Sequence, residues 1–135
     1  MPEKKTIERA REDAREGKSP STQAGEFVRE EIHHVREGKH GARSTQQAIA
    51  IGLSKARRAG VKLPSRKGTK SESRRTTKAS PKRSRAVTRA LKREGKSAAS
   101  HEALSRQATK SARSHGPSKR SAAARKGART RARNR

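Results

Sequence analysis

The side chains best suited to chemistry in this sequence are its lysines and arginines, which can neutralise phosphate groups. The 135 residues include 38 Lys and Arg against 12 Asp and Glu, a formal net charge of +26. Residues 1–64 hold 14 basic and 9 acidic residues, whereas residues 65–135 hold 24 and 3. Cations that bind phosphates release condensed counterions and gain affinity without reading base sequence. The composition therefore predicts a polyanion as the partner, and we expect a nucleic acid.

The expected phosphate contacts lie in two C-terminal segments. A tail that only solubilises the chain is the alternative, but solubility requires far less charge than this segment carries. The predicted nucleic-acid-binding residues are Lys82, Arg83, Arg85, Arg89, Lys92, Arg93, Lys96, Lys119, Arg120, Arg125, Lys126, Arg129, Arg131, Arg133 and Arg135.

The scarcity of aromatic residues favours a duplex as the target. Proteins that bind single strands stack bases on Phe, Tyr or Trp, and this chain has one Phe and no Tyr or Trp. The one aromatic residue, Phe27, falls in an apolar helical pattern and is expected in the core. We therefore expect binding to duplex backbone, with DNA favoured over RNA.

Metal or catalytic chemistry has weaker support in the sequence. His33 and His34 stand one helical turn from Glu37 and Glu30, a spacing that could hold a metal ion. The same spacing suits a solvated helix face with ion pairs, and we prefer that interpretation. The chain has no Cys and no glycine-rich phosphate loop, and no Ser/His/Asp set stands in motif context. We expect no enzyme, no cofactor, no metal and no small-molecule substrate.

The N-terminal residues 1–64 are predicted to form a small domain of three helices, at about 6–16, 20–37 and 45–59. Ser44 and Gln47 form a capping box for the third helix, Gly60 suits its end, and Pro64 blocks continuation. Ser19 and Pro20 open the second helix in the same way. The predicted core and interaction residues are the apolar positions of helices two and three: Phe27, Val28, Ile32, Val35, Ile49 and Leu53.

A resemblance appears in the third helix. The run from Gln47 to Gly60, QAIAIGLSKARRAG, with Lys39-His40-Gly41 ahead of it, resembles an uncharacterised family of small, basic bacterial proteins, a domain of unknown function. The resemblance covers mainly residues 20–64. It implies a bacterial cytosolic protein but brings no activity and no catalytic residues.

The C-terminal half is too poor in large apolar residues to form an ordinary core. We expect a flexible linker at 65–79 and nascent basic helices at about 81–94 and 98–115, populated when phosphates cancel their charge. Residues 116–135 are expected to be a disordered basic tail. The predicted fold class is all-α, a helical hairpin or bundle followed by a largely disordered basic half.

Two functions are compatible with this organisation. The first is a nucleoid-associated, histone-like protein that binds duplex DNA without sequence preference and can form a homo-oligomer through residues 20–64. The second is a protein-interaction module in residues 20–64, tethered by the basic tail to RNA, the ribosome or another polyanion. Because no run approaches the ~18 apolar residues of a membrane span and no apolar secretory segment follows Met1, we expect a cytoplasmic protein.

Overall fold

The protein is helical over the residues that its computed structural model describes, 2–64 and 80–135. Those ranges contain no strand, which confirms the predicted all-α class. A short 3-10 turn, Ser97–Ala99, precedes the fifth helix. The α-helices within residues 2–64 and 80–135 are α1 Lys4–Arg15, α2 Pro20–Glu37, α3 Thr45–Arg58, α4 Pro81–Arg93, α5 His101–Ser114 and α6 Gly116–Arg133.

The ends of α3 follow the capping chemistry that its sequence predicts. The Ser44 hydroxyl accepts a hydrogen bond from the Gln47 amide at 3.2 Å, and Gln47 Oε1 accepts one from the Arg43 amide at 2.7 Å. Gly60 follows the helix with φ +98°, a left-handed conformation that costs glycine little. These bonds satisfy amides that a helix start would otherwise leave unpaired.

The other helix starts differ in detail. Ser19 caps α2 by accepting from the Thr22 amide at 3.4 Å, with Pro20 in the first turn. Helix α1 begins at Lys4, slightly before the expected start at about residue 6, and Thr6 is buried inside the helix. Its preceding residue, Glu3, makes no side-chain cap to α1 and instead donates its amide to Glu30 Oε1 at 3.0 Å.

Helix α2 is the centre of the fold, because both α1 and α3 pack against it. The α2–α3 crossing is close: a Cβ added at Gly52 would lie 2.6 Å from the Val28 Cα atom. The face of α3 that meets α2 therefore carries small residues, with Ala48 and Ala56 fully buried. Beside Val28 on α2, Phe27 packs with Ala56 of α3 and Ala10 of α1 in an apolar cluster.

The second apolar cluster joins the two halves of the chain. Ile32 and Val35 of α2 pack there with Ala98 and Ala99 of the 3-10 turn. Polar contacts support the junction, since Thr45 Oγ1 donates to the Ala98 carbonyl at 2.6 Å and Arg36 Nε donates to the Ala99 carbonyl at 2.8 Å. Helix α5 then packs on the 3-10 turn and α3, and α6 packs on α5.

The expectation of a largely disordered C-terminal half is wrong. Residues 116–133, expected to be a disordered tail, form α6, and the single helix expected at 98–115 is a 3-10 turn followed by α5. Ala, Arg and Lys have high helix propensity, which the charge-based prediction underweighted. The flexible linker expected at 65–79 lies outside the described residues. In the ranges described, no helix combines the length and apolarity needed to cross a bilayer.

Candidate nucleic-acid interface

Helix α4 presents the clearest basic surface. It packs against no other helix in the described ranges, and every residue in it except Leu91 is exposed. At 100° per residue, five cations fall within roughly one third of the helix circumference. The opposite side carries Leu91 and Val87, whose exposed fraction is 53%. We call the cationic side the α4 basic face, formed by Lys82, Arg85, Arg89, Lys92 and Arg93.

The C-terminal end of α4 is attached to the loop between α2 and α3. The Gly41 amide donates to the Leu91 carbonyl at 2.8 Å, and the Ala42 amide donates to the Gly95 carbonyl at 3.2 Å. Carbonyls in the last turn of a helix lack partners within the helix, so the loop supplies one of them. The helix is thus anchored at one end while its basic face stays open to solvent.

Helix α6 adds a second basic surface. It has no buried residue, and Arg125, Arg129 and Arg133 recur at i, i+4 spacing along it. Like charges at this spacing destabilise an isolated helix, and a bound polyanion would remove that penalty. Near its end, Arg133 Nη2 lies 3.5 Å from the Gly17 carbonyl in the turn between α1 and α2.

The two halves of the protein differ in how many of their cations form ion pairs. Over the ranges that the structure covers, every ion pair lies between residues 3 and 55. Residues 80–135 carry 18 Lys and Arg against two acidic residues, and none of those cations is in a described ion pair. The N-terminal cations are partly neutralised inside the fold, whereas the C-terminal cations remain available to an external partner.

The internal ion pairs of the N-terminal half shift the pKa values of their members. Lys18 Nζ donates hydrogen bonds to the carboxylates of Asp13 and Glu16, each with an oxygen 2.7 Å away, and these bonds raise the pKa of Lys18. A hydrogen bond to Glu37 is the main cause that raises the pKa of Lys39.

The pKa of Glu3 shifts in the opposite direction, because the His34 imidazole, with Nε2 3.5 Å from Glu3 Oε1, and the charge of Lys39 lower it. Both groups favour the ionised carboxylate.

The structure places the predicted residues as follows. All fifteen predicted nucleic-acid-binding residues are exposed, on α4, on α6 or beside them. Of the six predicted core and interaction residues, Phe27, Ile32 and Val35 are buried, and Val28, Ile49 and Leu53 are half-buried.

The two histidine–glutamate pairs expected from the sequence differ in exposure. His33 and Glu37 are exposed, whereas His34 Nε2 lies 3.6 Å from Glu30 Oε1 near the protein interior. Glu31 and His40, which the histidine–glutamate spacing in the sequence does not include, complete a cluster around His34. The sequence carries no signal for this, because His40 is nine residues from Glu31 and returns to it only through the loop.

The match found by comparison with known proteins lies in the N-terminal half of the chain. Residues 4–67 match the model of a family of unknown function (DUF6496). The match covers α1, α2 and α3, so it extends further towards the N-terminus than the resemblance at residues 20–64, and it confirms an uncharacterised domain. No curated protein and no solved structure matches the chain.

Proposed function

We propose that the protein is a non-enzymatic nucleic-acid-binding protein that coats duplex DNA through its C-terminal helices without sequence preference. The N-terminal helices would provide the folded base on which α4, α5 and α6 are mounted. The phosphate contacts would come from the α4 basic face and from the cations of α6. The resemblance of Gln47–Gly60 to small, basic bacterial proteins supports a place in a bacterial nucleoid.

One observation carries this proposal: the exposed cations of residues 80–135 have no acidic partner in the described structure. Holding 18 such cations near one another costs electrostatic free energy, which a polyanion would recover. Neutralised phosphates also release counterions, which adds affinity at low salt. The scarcity of aromatic side chains further supports a duplex over a single strand.

The alternative function is a protein-interaction module in residues 20–64 with the basic half bound to RNA or another polyanion. Phe27, Ile32 and Val35 are buried against this chain's own helices, so they leave little apolar surface for a partner. The half-buried Ile49 and Leu53 would have to carry such an interaction, or a homo-oligomer. The burial pattern therefore favours the first function.

The experiment is a salt titration of binding by the full chain to duplex DNA, duplex RNA and single-stranded DNA of equal length. Two triple variants with the same charge change are compared. The first changes Arg85, Arg89 and Lys92 to Gln on the α4 basic face, and the second changes the exposed N-terminal residues Arg29, Arg57 and Arg58 to Gln.

We expect duplex DNA to bind best, with a log-log salt slope of about 0.9 per phosphate neutralised. The α4 variant should lower that slope by about 0.9 for each phosphate that it no longer neutralises, and the N-terminal variant should leave it close to that of the wild type. Equal effects of the two variants would reject the α4 basic face as the binding surface. Affinity that does not change with salt would reject phosphate coating altogether, and tighter binding to RNA would favour the alternative.

A further inference from the structure

A cluster of imidazoles and carboxylates lies under the loop between α2 and α3. We call it the His/Glu cluster; it consists of Glu3, Glu30, Glu31, His34 and His40. Three of its members come from consecutive turns of α2, one from the loop, and one from the residue before α1. The cluster is separate from the basic helices, and its chemistry does not depend on nucleic-acid binding.

The orientation of His40 leaves one ring nitrogen facing a carboxylate. His40 Nδ1 lies 2.9 Å from the Gly41 carbonyl oxygen, which only accepts hydrogen bonds, so Nδ1 carries the hydrogen. In the neutral ring, Nε2 then has a free lone pair, and it lies 2.5 Å from Glu31 Oε1. Two electron-rich atoms so close repel each other unless a cation lies between or beside them.

The Glu31 carboxylate is buried and incompletely paired. The residue is fully buried, and Oε1 has no hydrogen-bond partner among the described residues, since the approach of His40 lacks hydrogen-bond alignment. Its other oxygen, Oε2, accepts a hydrogen bond from Lys55 Nζ at 2.6 Å. Leaving a buried acceptor unsatisfied costs about 1–3 kcal/mol, more for a charged group. Oε1 is therefore free to bind a cation while Lys55 holds Oε2.

His34 brings a second imidazole to the same place. Its Nδ1 lies 4.0 Å from Glu31 Oε2, and its side chain is 12% exposed. On the far side of the ring, Nε2 faces Glu3 Oε1 at 3.5 Å and Glu30 Oε1 at 3.6 Å. A histidine that binds a metal through one nitrogen commonly has a carboxylate or carbonyl at the other. Both His34 and His40 have that arrangement.

We propose that Glu31, His34 and His40 form a binding site for a divalent transition-metal ion of the zinc class. One donor atom from each of the three residues lies within 4.8 Å of the others. Ligands bonded at ~2.0 Å in a tetrahedral site stand roughly 3.3 Å apart, so small side-chain shifts complete the site. Two imidazole nitrogens and one carboxylate oxygen suit Zn²⁺ or Co²⁺, whereas Mg²⁺ and Ca²⁺ prefer oxygen ligands alone.

The charges around the site accommodate such an ion. Four carboxylates face the ammonium groups of Lys39 and Lys55, which leaves two negative charges in excess; the carboxylates are those of Glu3, Glu30, Glu31 and Glu37. A second possible ligand set, Glu3, Glu30 and His34, shares one imidazole with the first. We assign those carboxylates a supporting role, because Glu3 is mostly exposed and already pairs with Lys39.

A bound ion would connect α2 to the loop that carries Gly41 and Ala42. That loop donates two main-chain hydrogen bonds to residues 91 and 95. The metal would therefore reinforce the attachment of the C-terminal half to the N-terminal helices. The role of the metal would be structural, since a ligand that binds only the folded state increases the stability of the protein.

The test measures binding of Co²⁺ and Zn²⁺ to the full chain after treatment with a chelator and in the absence of nucleic acid. Co²⁺ reports the coordination geometry through its visible absorption, and calorimetry gives the Zn²⁺ affinity and stoichiometry. The variants are His34→Asn and His40→Asn. The matched control is His33→Asn, an exposed histidine next to His34 on α2.

We expect one Zn²⁺ per chain in the wild type and the control, with a higher Tm in the presence of the ion. Loss of either ligand should weaken binding by at least the 10–100-fold that loss of an outer-shell partner typically costs. Because His40 lies in a loop, His40→Asn decides the result if His34→Asn fails to fold by far-UV circular dichroism. No stoichiometric binding by the wild type, or the same affinity in His40→Asn, would overturn the proposal. An equal loss in the His33 control would also overturn it.

Discussion

The amide of Gly41 donates a hydrogen bond to the carbonyl of Leu91 at 2.8 Å, and this bond joins the two halves of the protein. Gly41 lies in the loop after α2, and Leu91 lies in the last turn of α4. The loop backbone passes so close to residues 94 and 95 that a Cβ at Gly41 would collide with the Glu94 carbonyl. Glycine is therefore required at this position by space rather than by backbone conformation.

Gly41→Ala should detach the segment that follows α4 from the loop. The new methyl group meets main-chain atoms, which no rotamer change can move, so we expect a destabilisation of about 1–3 kcal/mol, typical of overpacking. Native-state amide hydrogen exchange should show loss of protection at the Ala42 amide, which bonds to Gly95.

Gly95→Ala is the matched control for that experiment. A Cβ at Gly95 meets nothing within 4 Å, and its φ is not positive. We expect exchange protection at Ala42 to stay as in the wild type. Equal protection in both variants would mean that the loop and residue 94 do not touch in solution.

Gly52→Ala and Gly25→Ala should have opposite effects, although both glycines lie inside helices. At Gly52 the added methyl would meet the Val28 backbone at the α2–α3 crossing, whereas at Gly25 it meets nothing within 4 Å. Gly25→Ala should stabilise the protein by up to about 1 kcal/mol through helix propensity. Gly52→Ala gains the same propensity but must separate two helices, and overpacking of this kind costs about 1–3 kcal/mol. Urea unfolding would measure both, and a stabilising Gly52→Ala would contradict the crossing.

Lys55→Met should be strongly destabilising. Lys55 Nζ donates to Glu31 Oε2 at 2.6 Å, and the Glu31 side chain is 1% exposed. Removing one partner of a buried ion pair leaves an uncompensated charge, which costs up to about 3–5 kcal/mol. Adding Glu31→Gln to the variant should restore part of the stability, because the charge is then removed as well.

The same substitution at exposed Lys62 is the control for the ion pair. Lys62→Met should change the free energy of unfolding by less than about 0.5 kcal/mol. A comparable loss of stability at both positions would show that the Glu31–Lys55 pair has no special role. A double-mutant cycle over Glu31 and Lys55 gives the coupling energy directly.

Gly127→Ala tests whether α6 is helical in the free protein. Gly127 lies inside α6, and an added Cβ would make only ordinary van der Waals contact with Arg131. In a helix this change contributes about 1 kcal/mol, so the helical far-UV signal should persist to a higher temperature. Gly116→Ala should lower that temperature, because Gly116 has φ +69° at the junction with α5. No shift in the thermal loss of helicity from either variant would mean that the tail is not helical in solution.

The positions and caps of α2 and α3 could be predicted because they depend on local chemistry. The sequence Arg-Glu-Gly-Lys occurs three times, at residues 15–18, 36–39 and 93–96. The second copy ends α2 with Gly38 at φ +80°, a conformation that glycine adopts readily. The third copy, at Arg93–Lys96, also follows a helix, but Gly95 has no positive φ and its carbonyl accepts from Ala42. The same four residues thus end two helices in different ways, because the third copy sits against another part of the chain.

The folded, helical state of residues 81–133 could not be predicted from the few large apolar side chains and the many charges of the C-terminal half. Ala98 and Ala99 are small, yet they are buried against Ile32 and Val35, and the junction depends on main-chain hydrogen bonds. Main-chain groups are the same in every residue, so composition gives no sign of where they pair. The helicity of α6 depends on intrinsic propensity, which net charge does not report.

The sequence by itself determined the helical class, the caps of α2 and α3 and the concentration of cations after residue 64, because periodicity, local capping and charge are all properties of neighbouring residues. Only the tertiary structure shows that the loop at Gly41 is hydrogen-bonded to the last turn of α4. It also shows that four side chains lie close together, those of Glu31, His34, His40 and Lys55. These residue pairs are from 3 to 50 positions apart in the chain, and the direction of each side chain is set by how the helices pack. Packing also decided which cations pair with carboxylates inside the fold and which stay exposed.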